Sequence, residues 1–320
     1  MKPFHELTKQ GKIRRYHQLA RLALQAYPLT VVNLRCISIR HNIIFRVQTP
    51  DDILMLRIGY PTIRNRLMVE SEMRWLSDMA HSGIDLRINT PVATRDGQWV
   101  QTCQIDSIPH KHEIVLMTWL KGQSLQTVQT KETLYLLGAA TAKLHNFAAS
   151  YAPQQPFMTF DMYDIDEWGS IDYLSDDSIL NATQQDLFQN AIERTTERLK
   201  SWRIRDGVML IHADLHLKNA VIYEGKLGIF DFDDCRWGHN LQDLGVMLAN
   251  LRDKAPPIQA LRTAYLNGYA TERSLLYSDD DLMIATVHRL MMMLTFVVNL
   301  RPQFRASTIT DIDLWLRQNL

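Results

Sequence analysis

The sequence predicts an α+β chain in two lobes: a small antiparallel β lobe with one key helix over residues 1–118, and a larger helical lobe over residues 119–320. Three observations point there. Apolar, β-branched runs crowd the first third of the chain. Helical periodicity takes over after Lys121-Gly122. And 320 residues is somewhat long for one compact core.

Residues 12–27 carry Tyr16, Leu19, Ala23 and Tyr27 at helical spacing, and Pro28 ends the run. "TVVNLRCISI", "NIIFRVQT" and "ILMLRIG" read as strands, with "PDD" turning the chain between the last two. Spacing predicts a helix over 65–81, with Val69, Met73, Leu76 and Ala80 on one stripe. "VATRDGQWVQT" reads as a hairpin about Asp96-Gly97, and "EIVLMTWL" as a buried strand. A helix over 131–149 presents Leu134, Leu137, Thr141, Leu144 and Ala148 on one face. The stretch 161–177, with Asp161, Asp164, Asp166, Glu167, Asp172, Asp176 and Asp177, reads as a solvated surface segment. Helical signals return over 183–202 and fill the chain beyond about residue 241.

Composition narrows the class. Zero formal net charge gives no global field toward nucleic acid or an anionic membrane, so neither is an expected partner. Cys36, Cys103 and Cys235 lack metal or disulfide spacing and suit a reducing compartment. The first residues show no apolar targeting run, and a cytoplasmic protein is expected. The greasiest segment, "LMIATVHRLMMMLTFVVNL", carries His288 and Arg289 in its middle. It reads as a buried helix, not a membrane span.

The chemistry concentrates in "LIHADLHLKNAVIYEGKLGIFDFDD", residues 210–234. "NAVIY" and "LGIFD" flank Glu224-Gly225-Lys226, a hairpin pattern. With Gly225 at its centre, Asn219 lies opposite Asp231, their Cβ atoms roughly 5 Å apart. An amide oxygen and a carboxylate so placed can share one hard cation, magnesium above all. Asp214 precedes them in the loop, where an ionised carboxylate can take the proton of an attacking hydroxyl. The order His212-x-Asp214, Asn219, then Asp231 is that of phosphoryl transfer: base, metal-binding Asn, metal-binding Asp. Two alternatives stand beside it. Asn219 can simply bond Asp231 while Asp214 caps a turn. Or His212, Asp214 and His216 can hold the zinc of a hydrolase. Phosphoryl transfer also needs a cation on the nucleotide phosphates, steadied by a helix glutamate. Arg57 near the end of "ILMLRIG" and Glu72 in "VESEMRWL" fit, though such a pair is commonly an ordinary surface contact.

On these residues the chain resembles the aminoglycoside phosphotransferase and choline kinase superfamily, of protein-kinase-like fold. Within it the likeness is to the branch of type II homoserine kinases and bacterial stress-response kinases. The carrying residues are "LIHADLHLKNAVIY", "LGIFDFDDCRWGHNLQDLGVML", "LRIG" with "SEMRWL", "PVATRDGQWV" and "VLMTWLKGQSL", over roughly residues 30–250. The resemblance implies ATP and Mg2+, with Asp214 as catalytic base and Asn219 and Asp231 as magnesium ligands. His212 becomes a structural loop histidine, and Asp243 steadies the metal loop from the following helix. Arg57 takes the place of the usual lysine, with Glu72 as its partner. Leu116 to Leu120 form the hinge, so that Met117, Trp119 and Leu120 meet the adenine. The nucleotide-covering loop "SIRHNIIFRV" has no glycine, and Asn42 or Ser38 is the polar group assigned there.

Asp231-Phe232-Asp233 replaces Asp-Phe-Gly, and about ten residues separate Asp231 from the next helix. That is too short for a protein-kinase activation segment and favours a small-molecule acceptor. Asp233, Asp234 and Trp237, with Trp168 and Tyr173, are assigned to the acceptor side. The alternatives are a solvated loop for the acids and core packing for the aromatics. The expectation is an ATP-dependent phosphotransferase acting on a hydroxyl of an amino alcohol, a homoserine-like compound, a sugar or an aminoglycoside. A stress-response protein Ser/Thr kinase and a non-catalytic nucleotide-binding pseudokinase are the alternatives.

Overall fold

The computed structural model describes residues 2–60, 64–161 and 171–320. Asp164, Asp166, Glu167 and Trp168 of the acidic stretch lie outside them. The chain divides into two compact units, Met1–Lys121 with Ala152–Thr159, and Gly122–Tyr151 with Phe160–Leu320.

The first unit contains α1 (Lys9–Leu24), β1 (Asn33–Ile39), β2 (Asn42–Gln48), β3 (Ile53–Gly59), α2 (Arg66–His81), β4 (Arg87–Ile88), β5 (Pro91–Val92), β6 (Val100–Cys103) and β7 (His112–Thr118). Its sheet runs β1-β2-β3-β7 in antiparallel pairs. Strand periodicity explains its two faces. Ile43, Phe45 and Val47 of β2, and Leu54, Leu56 and Ile58 of β3, alternate into one core with Tyr16, Leu19, Ala20 and Ala23 of α1. The same alternation turns Arg57 to the opposite face.

Three expectations shift here. Helix α1 starts at Lys9, where the Thr8 hydroxyl accepts the Gly11 N–H, and ends at Leu24; Tyr27 follows it, still fully buried. In α2 the buried stripe runs on through Met79, while Ala80 is exposed. The segment about Asp96-Gly97 is no hairpin. β5 pairs with Leu116 and Met117 of β7, and β6 with His112 to Val115. Both run antiparallel to the same strand, so they are parallel to each other and cannot form the antiparallel pair of a hairpin. They form one edge strand interrupted by a turn at Gly97, whose φ is 80°.

The second unit contains β8 (Gln123–Ser124), α3 (Lys131–Ser150), β9 (Phe160–Asp161), α4 (Ala182–Asp206), β10 (Met209–Ile211), β11 (Ala220–Tyr223), β12 (Lys226–Ile229), β13 (Arg236–Gly238), α5 (Asn240–Asn250), α6 (Pro256–Glu272), α7 (Asp279–Leu300) and α8 (Arg305–Asn319). Helix α3 buries the face its sequence marks. Helix α7 is long and apolar enough to cross a membrane, and 78% of its apolar stretch is buried within the protein. Tyr173 takes the core-packing alternative: it is buried beside Phe188 and Leu290, its hydroxyl bonded to that of Thr295 at 3.0 Å.

Glycines let these helices meet backbone to backbone. A Cβ at Gly138 of α3 would lie 1.9 Å from the Tyr265 carbonyl oxygen of α6, and one at Gly245 of α5 would lie 2.2 Å from the Ala285 carbonyl oxygen of α7. Neither contact can admit a methyl group without moving a helix. Gly138→Ala is therefore expected to destabilise by about 2 kcal/mol or more, at the upper side of overpacking costs. Urea denaturation against the parent chain measures this, and an unchanged midpoint would contradict the close α3–α6 contact.

Candidate active site

The β11–β12 ribbon pairs Ala220 with Ile229 and Tyr223 with Lys226. Its loop is thus the two residues Glu224-Gly225, with φ of 51° and 73°. Both residues being left-handed is what a type I′ turn requires, because only that twist matches the flanking strands. This corrects the expected register by one residue. Asn219 faces Phe230, whose N–H donates to the Asn219 carbonyl at 3.0 Å, and not Asp231. Asp231 comes next, in left-handed geometry (φ 69°, ψ 57°), with an exposed side chain. An aspartate tolerates that region better than most residues, and it turns the chain out of the ladder.

The preceding loop is held from beneath. Asp243, in the first turn of α5, is fully buried. Its carboxylate accepts the backbone N–H of His212 at 2.9 Å and of Ala213 at 2.6 Å, and meets His145 Nε2 of α3 at 3.1 Å. Burial pushes its pKa up, yet the bond and charge of His145, with the bond from the His212 N–H, outweigh that and leave it below the ordinary aspartate value. Ala213 has a φ of 66°, a strained conformation for a residue with a Cβ, and Asp243 grips it there. His145 continues through its Nδ1 to the Tyr269 hydroxyl at 2.9 Å, which also takes the Asn240 amide at 3.0 Å.

Asp214 follows Ala213, with 22% of its side chain exposed. The Asn219 Nδ2 donates to the Asp214 main-chain carbonyl at 3.0 Å and to Oδ2 at 3.2 Å. A carbonyl can only accept, so the amide nitrogen must face it. The Asn219 Oδ1 is thereby turned away from Asp214. On the other carboxylate oxygen, Arg289 Nη2 of α7 donates to Oδ1 at 2.5 Å. His216 Nε2 lies 3.5 Å from Oδ2. Burial, with Arg289 nearby, lowers the His216 pKa against the pull of Asp214 and favours neutral imidazole. Its Nδ1 accepts the Lys218 N–H at 3.2 Å, which leaves the proton on Nε2, toward Asp214.

This geometry bears on the metal. His212 donates from Nε2 to the Phe230 carbonyl at 3.0 Å and accepts the Asp214 N–H at Nδ1, 3.4 Å, so both its nitrogens are engaged. Among the described residues no three His, Cys, Asp or Glu side chains gather as metal ligands. An amide oxygen and a carboxylate suit magnesium, which commonly takes one or two protein ligands and fills the rest with phosphate and water. Asp233 and Asp234 are half-buried. Asp234 accepts the buried Arg236 Nε at its carbonyl, 2.8 Å. Trp237 is half-buried in β13, opposite Leu210.

In the first unit, Arg57 meets Glu72 through two parallel bonds, Nη1 to Oε1 at 2.8 Å and Nη2 to Oε2 at 2.6 Å. Both side chains are nearly inaccessible, so the surface-pair alternative does not hold; removing one partner would strand a buried charge. Arg64 Nη1 also donates to Glu72 Oε2, at 2.5 Å. Sequence reading missed Arg64 because it precedes α2 and carries no periodic signal. Asn42 opens β2 opposite Gly59. Met117 is buried in β7, and half-buried Trp119 and Leu120 follow it.

Residues 39–275 match the pattern of the Phosphotransferase enzyme family. The amicoumacin kinase of Bacillus subtilis (strain 168) is 25% identical over 278 residues, 82% of this chain and 79% of that protein. In three dimensions the chain is similar to the microcompartment-associated aminopropanol kinase, with a TM-score of 0.78, 21% identity, and coverage of 94% and 95% of the two chains. It is similar also to amicoumacin kinase hAmiN in complex with AMP-PNP, Ca2+ and Ami, with a TM-score of 0.73, 20% identity, and 96% of each chain covered. These likenesses give it the two-lobed α+β fold of protein-kinase type, β-rich first and helical after.

Asp243→Ala would leave the His212 and Ala213 N–H groups buried without acceptors, at about 1–3 kcal/mol each. The loss is expected to be full at neutral pH. Because the Asp243 pKa is depressed on folding, its contribution is present above the unfolded value of about 3.9 and fades as pH drops through the folded one. Denaturant titrations of parent and variant should therefore converge in acid; a gap independent of pH would refute the charged-acceptor role.

Proposed function

Because the chain belongs to the phosphotransferase enzyme family, we propose that it transfers the γ-phosphoryl group of ATP to a hydroxyl of a small molecule. The observation that carries this reading is the bond from the Asn219 amide to Asp214, which fixes the amide nitrogen on the proposed base and leaves the amide oxygen for a cation.

Asp214 orients the acceptor hydroxyl and takes its proton as the oxygen attacks phosphorus. Asn219 and Asp231 would hold magnesium, which would supply positive charge against the nucleotide phosphates. Arg57, fixed by Glu72, orients the phosphates; its planar fork matches phosphate oxygens better than an ammonium point charge would. Asn42 contributes at the phosphates, and the backbone through Met117, Trp119 and Leu120 meets the adenine. His212 and Asp243 keep the loop in place. Asp233, Asp234 and Trp237 face the acceptor. Most of the rate comes from alignment and charge stabilisation.

The relatives named above, one for aminopropanol and one for amicoumacin, support a small-molecule acceptor over a protein serine. So does the short run from Asp231 to α5. The AMP-PNP and Ca2+ of the hAmiN complex support a nucleotide taken with a divalent ion. Within the family, the motif "LIHADLHLKNAVIY" keeps a homoserine-like acceptor in the set to be tried, beside amino alcohols, sugars and aminoglycosides.

Purified protein with γ-labelled ATP and pooled hydroxyl metabolites should yield one labelled product. Asp214→Asn should bind MgATP normally and lose transfer by on the order of 10²-fold or more; full activity would sink the base assignment. Asp231→Ala should bind nucleotide no better with magnesium than without it, as calorimetry would register. Nucleotide binding without any transfer would mark a scaffold.

A further inference from the structure

We propose that Arg289 is a positioning residue for the catalytic base: its guanidinium holds Asp214 Oδ1 and fixes the plane in which that carboxylate meets the acceptor. The inference rests on the role of Asp214 given above and adds a residue from elsewhere in the chain.

Arg289 stands in the middle of an apolar helix, between the fully buried His288 and Leu290. Arg289 itself is half-buried, so its head group is partly withdrawn from water and gains from a partner. Its Nη2 donates to Asp214 Oδ1 at 2.5 Å, and its Nη1 approaches the Ala213 carbonyl at 3.4 Å. These are its only polar partners among the described residues. With Asn219 on Oδ2, each carboxylate oxygen of Asp214 has its own donor, from a different element. Two donors on two oxygens determine the rotation of a carboxylate, which one donor would leave free.

The frame behind the contact is rigid. Asp243 of α5 holds the loop backbone at His212 and Ala213. Arg289 of α7 holds the side chain that follows. Those two helices touch without an intervening side chain where Gly245 meets the Ala285 carbonyl, and Ala285 lies one helical turn before Arg289. One packed helix pair thus grips the backbone just before the base and the carboxylate of the base itself. Arg289 also lies beyond residues 39–275, the part of the chain that matches the family. The second grip on the base therefore comes from outside the matched region.

The test uses hydrolysis of MgATP by water, which needs no identified acceptor, with calorimetric MgATP binding alongside. Parent, Asp214→Asn, Arg289→Lys and Arg289→Ala are compared. Misplacing the base should cost turnover on the order of 10²-fold in Arg289→Ala, with MgATP affinity unchanged. Arg289→Lys keeps the charge without the planar fork and should fall between. Guanidinium ion, added well below denaturing concentration, should restore Arg289→Ala by on the order of tenfold and leave Asp214→Asn inert; a merely structural arginine would not be rescued.

If Asp214→Asn loses hydrolysis while both Arg289 variants match the parent, the inference is overturned and the base assignment stands. Should Asp214→Asn hydrolyse ATP as the parent does, the base assignment fails and takes the inference with it. If Arg289→Ala does not fold, Arg289→Lys decides: a loss of turnover at parental MgATP affinity supports positioning, and parental turnover or lost affinity overturns it.

Discussion

The buried carboxylate of Asp243 is the constraint on which the loop from His212 to Asp214 depends. An isolated anion with no solvent contact would cost far more than the fold can spare. Three donors offset that cost, two from the backbone of His212 and Ala213 and one from His145. The exchange works in both directions: the donors keep Asp243 charged, and Asp243 keeps the loop in a conformation that the loop would not choose. Ala213 with its positive φ would relax if that acceptor vanished, and Asp214 would turn with it. The contacts of Asp214 to Asn219 and Arg289 presuppose this prior grip.

Glu72 does the corresponding work in the first unit. It is a buried anion that receives Arg57 through two parallel bonds and Arg64 through a third. A carboxylate shared in this way does more to hold each guanidinium in one place than to stabilise the chain, since buried ion pairs contribute little net stability. If Arg57 meets phosphate oxygens as proposed, fixed orientation is the useful property.

Strands β1, β2, β3 and β7, the existence of the β11–β12 hairpin and the helical face of α3 were legible from periodicity and turn residues alone, while the short strands β4, β8, β9, β10 and β13 were not. The hairpin register was not. "EGK" fits a three-residue loop centred on Gly225 as readily as the two-residue loop Glu224-Gly225. Only the demand that the turn match the strand twist selects the second, with Glu224 in a region that glutamate seldom visits. The interrupted edge strand at β5 and β6 was illegible for a related reason, because which neighbour a strand pairs with is decided by tertiary contact. Arg289 left even less trace. One charge in an apolar run argues against a membrane span, and its partner lies 75 residues away in sequence, beyond any local pattern.

Two left-handed residues bracket the candidate centre, Ala213 before Asp214 and Asp231 after the ribbon. Each costs on the order of 1–3 kcal/mol relative to relaxed backbone, and such costs survive only where neighbours over-determine the conformation. At Ala213 the neighbours are identified: Asp243 takes its N–H, and Arg289 approaches its carbonyl. At Asp231 the kink ends strand pairing one residue after Phe230, so the carboxylate leaves the ladder instead of continuing along it. A relaxed β conformation at Asp231 would instead prolong the strand beyond Phe230. Strain at these two residues sets where the hairpin and the loop before it leave regular structure.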